Sequence, residues 1–391
     1  MRALRTLMVV LFVALGFLGG YFIGWYLHGE STVRLSAGQT NSARQAGDLT
    51  TRVIEELQGR YYKPVKVDKL STAGVDGLLK SLDDPYTVYL SPQETQAFKE
   101  KESGQYSGIG AALEKGKTGL VITTVFDGSP AKEAGLKPGD IIVTVDGKPT
   151  KDVAIDTSIA RIKGEEGSRV VLGVEPEGGG PVKSYSIVRR RIEVPETHTR
   201  MEVSNGQKVG YVQLWEFGGL AARDVREDVE DLTKKGAQSF ILDLRYNPGG
   251  LLTQAVDVTG IFQTGVVVST EGLHSPEEVL STDGPVATGK KMVVLVNGYS
   301  ASASEIVTGA LKDHGRAEIV GTHTFGKGLV QTIVDLGDGA ALKLTTAVYL
   351  TPNGTDINHK GITPDIVVKE NPKTKVDEQL QAALTYLTGK K

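Results

Sequence analysis

The spacing of hydrophobic positions changes along the chain, and each change marks a region. From Thr50 to Tyr62 the apolar residues Val53, Ile54, Leu57 and Tyr61 recur at helical spacing, and "VDKLSTAGVDGLLKSL" repeats that pattern before the break at Asp84-Pro85. This predicts a small helical segment. Between residues 105 and 190 the runs shorten and fill with Val, Ile and Thr: "GIGAALE", "GLVITTVF", "DIIVTVDG", "SRVVLGVEP" and "SYSIVRRRI", divided by glycine and proline turns. Two helical pieces, "SPAKEAGL" and "VAIDTSIARIKG", interrupt them. About 85 residues of short strands with two helices predict a compact, partly open β-barrel.

From about Val194 the alternation lengthens. "VGYVQLWEF", "SFILDLR" and "KMVVLVNG" read as strands; "LAARDVREDVEDLTKKG", "LTQAVDVTGIF" and "SASASEIVTGALKDHG" read as helices. Continuous apolar strands alternating with helices predict an α/β core with a mostly parallel sheet. The charged C-terminal stretch ends in the helical "VDEQLQAALTYL".

The chain opens differently again. After Arg2 and Arg5 comes "TLMVVLFVALGFLGGYFIGWYL", about 22 uncharged residues, enough to cross the hydrocarbon core of a bilayer as a helix. Tyr21, Trp25 and Tyr26 sit near its far end as interfacial aromatics do, and no small-residue cleavage site follows. The preceding arginines place the N-terminus in the cytoplasm. The expectation is an uncleaved single-pass anchor in the cell membrane, with everything after it in a periplasm or outside the cell.

Composition removes several alternatives. A net charge of −3 gives no electrostatic reason for a nucleic-acid partner. The only dense basic run, Arg189, Arg190 and Arg191, reads as a solvated strand end. With no cysteine in the 391 residues, disulfides, cysteine-based zinc sites and a thiol nucleophile are excluded. No metal site or cofactor is expected.

Two stretches carry candidate chemistry. "GTHTFGKGLVQ" satisfies most of a phosphate-binding loop, but Gly328 stands where that loop needs a hydroxyl to ligate Mg²⁺, and the following residues read as a strand instead of a helix. "VNGYSASASEIV" delivers Ser300, Ser302 and Ser304 to the end of a strand and the start of a helix, where α/β sheets carry their chemistry and where free N–H groups favour developing negative charge. Ser302 to Glu305 also matches a capping box, in which the serine merely caps the helix. "GYSAS" falls short of the hydrolase elbow G-x-S-x-G, because Ser302 replaces its last glycine. The six histidines (His28, His198, His274, His314, His323, His359) are scattered. A serine nucleophile here needs another base, and Lys327, in an apolar and glycine-rich setting, can serve if burial makes it neutral.

Taken in order, "DDPYTVYLSPQE", "YSGIGAAL", "SPAKEAGLKPGDIIVTVDG", "ILDLRYNPGGLL", "VNGYSASASEIVTGALKD", "FGKGLVQ" and "GITPDIVV" resemble the carboxyl-terminal processing proteases, serine peptidase family S41. The likeness spans about residues 83 to 368. Together with the N-terminal reading it implies a multidomain protein, α/β plus β: residues 1–6 cytoplasmic, 7–28 a transmembrane anchor, 29–100 a linker with a helical segment, 101–190 a PDZ domain, 191–370 a ClpP/crotonase-like protease core and 371–391 a helical tail. It implies Ser302 as nucleophile, Lys327 as base and Gln331 as the residue that orients the lysine. The oxyanion hole falls on the Ala303 N–H together with that of Gly249 or Gly250, a choice the sequence leaves open. Gly108, Ile109 and Gly110 become a loop that holds a peptide's terminal carboxylate. Implied partners are protein or peptide substrates with accessible C-termini, and an adaptor or a second copy of the chain controlling access. A scaffold with a degenerate hydrolase domain is the rival reading, and the complete set Ser302, Lys327 and Gln331 speaks against it.

Overall fold

The computed structural model of the chain describes residues 37–371 and 373–389. The expected membrane anchor lies outside the described residues; among those described, no helix is long and apolar enough to cross a membrane. The chain divides between Leu78 and Leu79 into two compact units.

The first unit carries α1 (Ala37–Arg60) and all but the last two residues of α2 (Val67–Lys80). α1 begins well before the apolar periodicity that predicts it. Its first half, AGQTNSARQAGD, is mostly alanine and polar residues, which leave no apolar face to mark it.

The second unit opens with β1 (Val88–Leu90), α3 (Pro92–Ser103) and β2 (Gln105–Gly108). α3 has only Ala97 and Phe98 as apolar side chains within its turns and is therefore invisible to periodicity, but its start is encoded: Ser91 N–H donates to Glu94 Oε2 (2.9 Å) and Glu94 N–H to Ser91 Oγ (3.3 Å), a capping box in "SPQE".

A small β domain follows, made of β3 (Ala111–Lys115), β4 (Leu120–Val125), α4 (Pro130–Glu133), β5 (Ile141–Val145), β6 (Lys148–Pro149), α5 (Ile155–Ile162), β7 (Arg169–Glu175) and β8 (Lys183–Val188). Its sheet runs β3-β4-β5-β7-β8, with β6 on β5, and Leu120, Ile122, Ile142 and Leu172 are fully buried beneath it. β9 (Arg190–Glu193) then pairs antiparallel with β2, Gln105 opposite Glu193, so the domain stands on a two-stranded stalk. One expectation fails here. Arg189 is buried, not solvated: its guanidinium donates to the carbonyls of Ile162, Arg161 and Arg169 and to Ser168 Oγ. Gathering four acceptors offsets the cost of burying a charge.

The core is built from β10 (Thr197–Ser204), β11 (Gln207–Leu214), α6 (Ala221–Lys234), β12 (Ser239–Asp243), α7 (Leu252–Phe262), β13 (Gly265–Glu271), β14 (Glu278–Thr282), β15 (Met292–Val296), α8 (Ala303–Asp313), β16 (Glu318–Gly321), β17 (Leu329–Gly337), β18 (Ala340–Leu350), β19 (Ile366–Val367) and α9 (Glu378–Thr388). The main sheet runs β10-β11-β12-β15-β16-β19; only β10 and β11 are antiparallel, which agrees with the expected mostly parallel sheet. Along β12 and β15 the side chains alternate between two cores. Phe240, Leu242, Val294 and Val296 pack with α6, α7 and α8, whereas Ile241, Val293 and Leu295 pack with Ala383 and Leu387 of α9. Burial on both faces is why these strands read as continuous apolar runs.

A second, antiparallel sheet was not foreseen. It runs β1-β18-β13-β14, with β17 also on β18. β1 comes from far upstream, with Val88 opposite Lys343.

Candidate active site

β15 ends at Val296, and the loop after it is fastened to the loop after β12. Asn297 Oδ1 accepts from the N–H groups of both Tyr246 (3.1 Å) and Tyr299 (3.0 Å). Ser300 Oγ donates to the Leu244 carbonyl (2.8 Å) and Ser304 Oγ to the Asn247 carbonyl (2.9 Å). Two of the three candidate serines are therefore structural. Ser302, between them, caps α8 with φ +54° and ψ −114°, a conformation that costs a non-glycine residue about 1–3 kcal/mol and persists only when the surroundings enforce it.

The turn "NPGG" lies directly against this serine. A Cβ on Gly249 would stand 2.8 Å from Ser302 Cβ and 3.0 Å from Ala303 N, so only glycine permits the approach. The Gly249 N–H donates to Asn247 Oδ1 (2.9 Å). The N–H groups of Gly250 and Ala303 find no acceptor among the described residues.

Glu305 does more than cap. Fully buried, its carboxylate accepts four hydrogen bonds: from Ser302 N–H (3.0 Å) and Lys327 N–H (2.8 Å) on Oε2, and from Gly326 N–H (2.7 Å) and Thr324 Oγ (2.5 Å) on Oε1. One oxygen thus holds the backbones of Ser302 and Lys327 together. Charge-assisted bonds of this kind are roughly twice as strong as neutral ones.

The Lys327 side chain leaves that carboxylate and lies over the ring of Tyr86, its Nζ 4.5 Å from the ring centre. Burial and the Lys343 ammonium hold its pKa below the usual lysine range, against the opposing pull of Asp84 and Glu305. Gln331 sits on β17 opposite Thr345, its Nε2 buried without a partner. Sequence reasoning missed Asp84, Tyr86 and Lys343 as parts of this site. "DDPYT" stood out as a motif, but only the β1–β18 pairing reveals where it goes.

Behind the glycine turn, Asp243 accepts from Tyr211 Oη (2.6 Å) and from the Arg245 guanidinium (2.6 Å), which also reaches Asp377 at the N-cap of α9 (2.8 Å). The cluster fastens α9 to the end of β12. In the small β domain, Ile109 and Gly110 connect β2 to β3. Gly110 adopts φ +77°, and a Cβ there would stand 2.3 Å from Ser129 Cβ. Their carbonyls accept from Ala131 and Phe126, while their N–H groups donate to nothing among the described residues. Gly108 closes β2 opposite Arg190.

Comparison with known proteins agrees with this architecture. The model of peptidase family S41 matches residues 208–368, and a PDZ domain model matches residues 121–176. A probable CtpA-like serine protease of Staphylococcus aureus (strain bovine RF122 / ET3-1) is 39% identical over 341 residues, covering 86% of this chain and 67% of its own length. The carboxy-terminal processing protease CtpA of Bacillus subtilis (strain 168) is 34% identical over 366 residues, covering 93% and 77%. The solved photosystem II D1 C-terminal processing protease is 29% identical, with a TM-score of 0.50 over 85% of this chain and 92% of that one. The chain therefore belongs to the S41 serine peptidases, among the PDZ-containing carboxy-terminal processing proteases.

Proposed function

We propose that the chain cleaves polypeptides by acylation of Ser302, with Lys327 as general base. The observation that carries this reading is the shared Glu305 carboxylate, which holds the backbones of a strained, helix-capping serine and a lysine of depressed pKa in one site. Lys327 takes the Ser302 proton as Oγ attacks the peptide carbonyl. It then returns that proton to the leaving amine. The tetrahedral oxyanion is received by the Ala303 N–H and an N–H of the Gly249–Gly250 turn; a donor of this type is worth about 10²–10³ in rate. Gly250's N–H is free to take that part, whereas Gly249's must first leave Asn247. Gln331 orients the lysine.

The PDZ domain captures the C-terminal end of the substrate. The unengaged N–H groups of Ile109 and Gly110, at the open end of β3, support a carboxylate there and an added strand alongside. The uncharged N-terminal stretch behind Arg2 and Arg5 supports a membrane-anchored enzyme acting outside the cytoplasm, with an adaptor or a second copy controlling access. The test is cleavage of an unfolded model protein by residues 30–391. The wild type is expected to cleave, with Ser302→Ala and Lys327→Ala folded and inactive. Cleavage by folded Ser302→Ala would overturn the reading.

A further inference from the structure

The geometry points to Tyr86 as a positioning residue for Lys327: its ring face seats the lysine side chain and stabilises the ammonium that forms when the base takes a proton. This rests on the Ser302–Lys327 reading and assigns that lysine a partner from a part of the chain outside the S41 match at residues 208–368.

The backbone that carries Tyr86 is fixed by its neighbours. Asp84 Oδ1 accepts its N–H (2.9 Å), Asp84 Oδ2 accepts Thr87 Oγ (2.6 Å), and Thr87 Oγ in turn accepts the N–H of Thr345 on β18 (3.1 Å). Burial pushes the Asp84 carboxyl up, but hydrogen bonds from Thr87, Thr345 and the Tyr86 backbone outweigh it and keep the group below its usual range, so the turn is held by a charged group at neutral pH. The pairing of Val88 with Lys343, Tyr89 with Leu342 and Leu90 with Ala341 then fixes the turn's height along β18. The ring lies 4.5 Å from Nζ to its centre, well inside the ~6 Å reach of a cation–π contact.

The other charges around Lys327 explain what the ring adds. Lys343 on β18 repels the ammonium; Asp84, in the turn before β1, and Glu305, on α8, attract it. Glu305 already accepts four hydrogen bonds, and Asp84 is engaged by its own turn. Neither carboxylate accepts a hydrogen bond from Nζ. Lys343 lies over a different ring, Phe98 at 5.2 Å, so two repelling lysines divide between two aromatic faces. A base that must be neutral at the start of acylation and charged midway through it gains from a surface that favours the charged form moderately and without fixing the nitrogen.

The proposal makes two predictions of opposite sign. Replacing the face with an aliphatic group of similar bulk, Tyr86→Leu, moves the acid limb of the pH–rate profile down by roughly half to one pH unit, because the neutral base becomes easier to reach. At the same time it lowers the alkaline plateau several-fold. Tyr86→Phe keeps the face and leaves both near wild type. The companion measurement does not require turnover: the Lys327 side-chain ¹³Cε shift is titrated in Ser302→Ala with and without Tyr86→Leu, the signal assigned by its loss in Lys327→Arg. The titration is expected to move down by the same amount. If wild type does not cleave but the titration moves, the proteolytic reading fails and the Tyr86 contact stands. If cleavage is normal and neither the limb nor the titration moves, or if only the plateau falls, Tyr86 merely packs and the proposal is overturned. Should Tyr86→Leu not fold, Tyr86→Met is read in the same way.

Discussion

The two halves of the active site are built to different standards. On the serine side the buried polar side chains of Ser300, Ser304, Asn247, Asn297 and Glu305 each hold backbone around Ser302, and what stays open is the pair of N–H groups of Gly250 and Ala303. On the lysine side the side chain rests on an aromatic face, the Gln331 amide nitrogen is buried without a partner, and β17 becomes exposed toward its end. Buried networks that are fully satisfied are rigid, and partly satisfied ones are where a structure adjusts. On the proposed reading, Ser302 is thus prepared in advance, and the adjustment needed for turnover falls on Lys327.

The strongest way to break this contrast is to cut the one group common to both halves. Glu305→Ala orphans four donors; stability is expected to fall by about 3 kcal/mol and kcat/KM by about 10²-fold or more, since small misplacements of reacting groups cost that much. Denaturant melts and peptide cleavage measure both. A loss of about 1 kcal/mol with near-normal activity would reduce Glu305 to an ordinary cap. A smaller effect, confined to the serine side, is expected from Asn297→Ala: roughly 1–3 kcal/mol, from two N–H groups left unpaired.

The lysine side should respond differently. Gln331→Leu removes an unpaired buried amide nitrogen, so stability should stay within about 0.5 kcal/mol of wild type or rise, while the rate falls. A large destabilisation would show that the base side is as tightly built as the serine side. The smallest effect concerns pH. Because the folded-state pKa of Lys327 lies below its unfolded value of 10.5, the unfolded chain binds more protons in the window between the two. Lys327 therefore makes the protein gain stability as pH rises through that window, and Lys327→Met should flatten this part of the stability profile.

What the sequence reveals depends on how local the physics is. Ser302 and Lys327, the proposed pair, stand in short motifs whose neighbours announce a strand end, a helix start and an apolar pocket, so both are candidates without a structure. Glu305 is readable only as a cap, because three of its four partners arrive from Thr324, Gly326 and Lys327 in a different loop. Asp84 and Tyr86 are further removed: a strand register across the second sheet brings them to Lys327, and nothing local encodes that pairing. Arg189 shows the converse. Three consecutive arginines look solvated, yet the first finds four acceptors that only the folded β domain assembles.

The stalk formed by β2 and β9 has a consequence for how the protein can be taken apart. Because Gln105 faces Glu193, the chain leaves the core and returns to it at adjacent points, as it would around a hairpin loop. The whole PDZ domain is, in topological terms, a very long turn. Closing a loop becomes only slowly more costly with its length, so the core can exchange this insert for a short linker or an unrelated domain without reordering its own strands. Recognition and cleavage would then be separable parts of one chain, joined at a two-stranded seam beside the Lys163–Glu100 ion pair (2.8 Å).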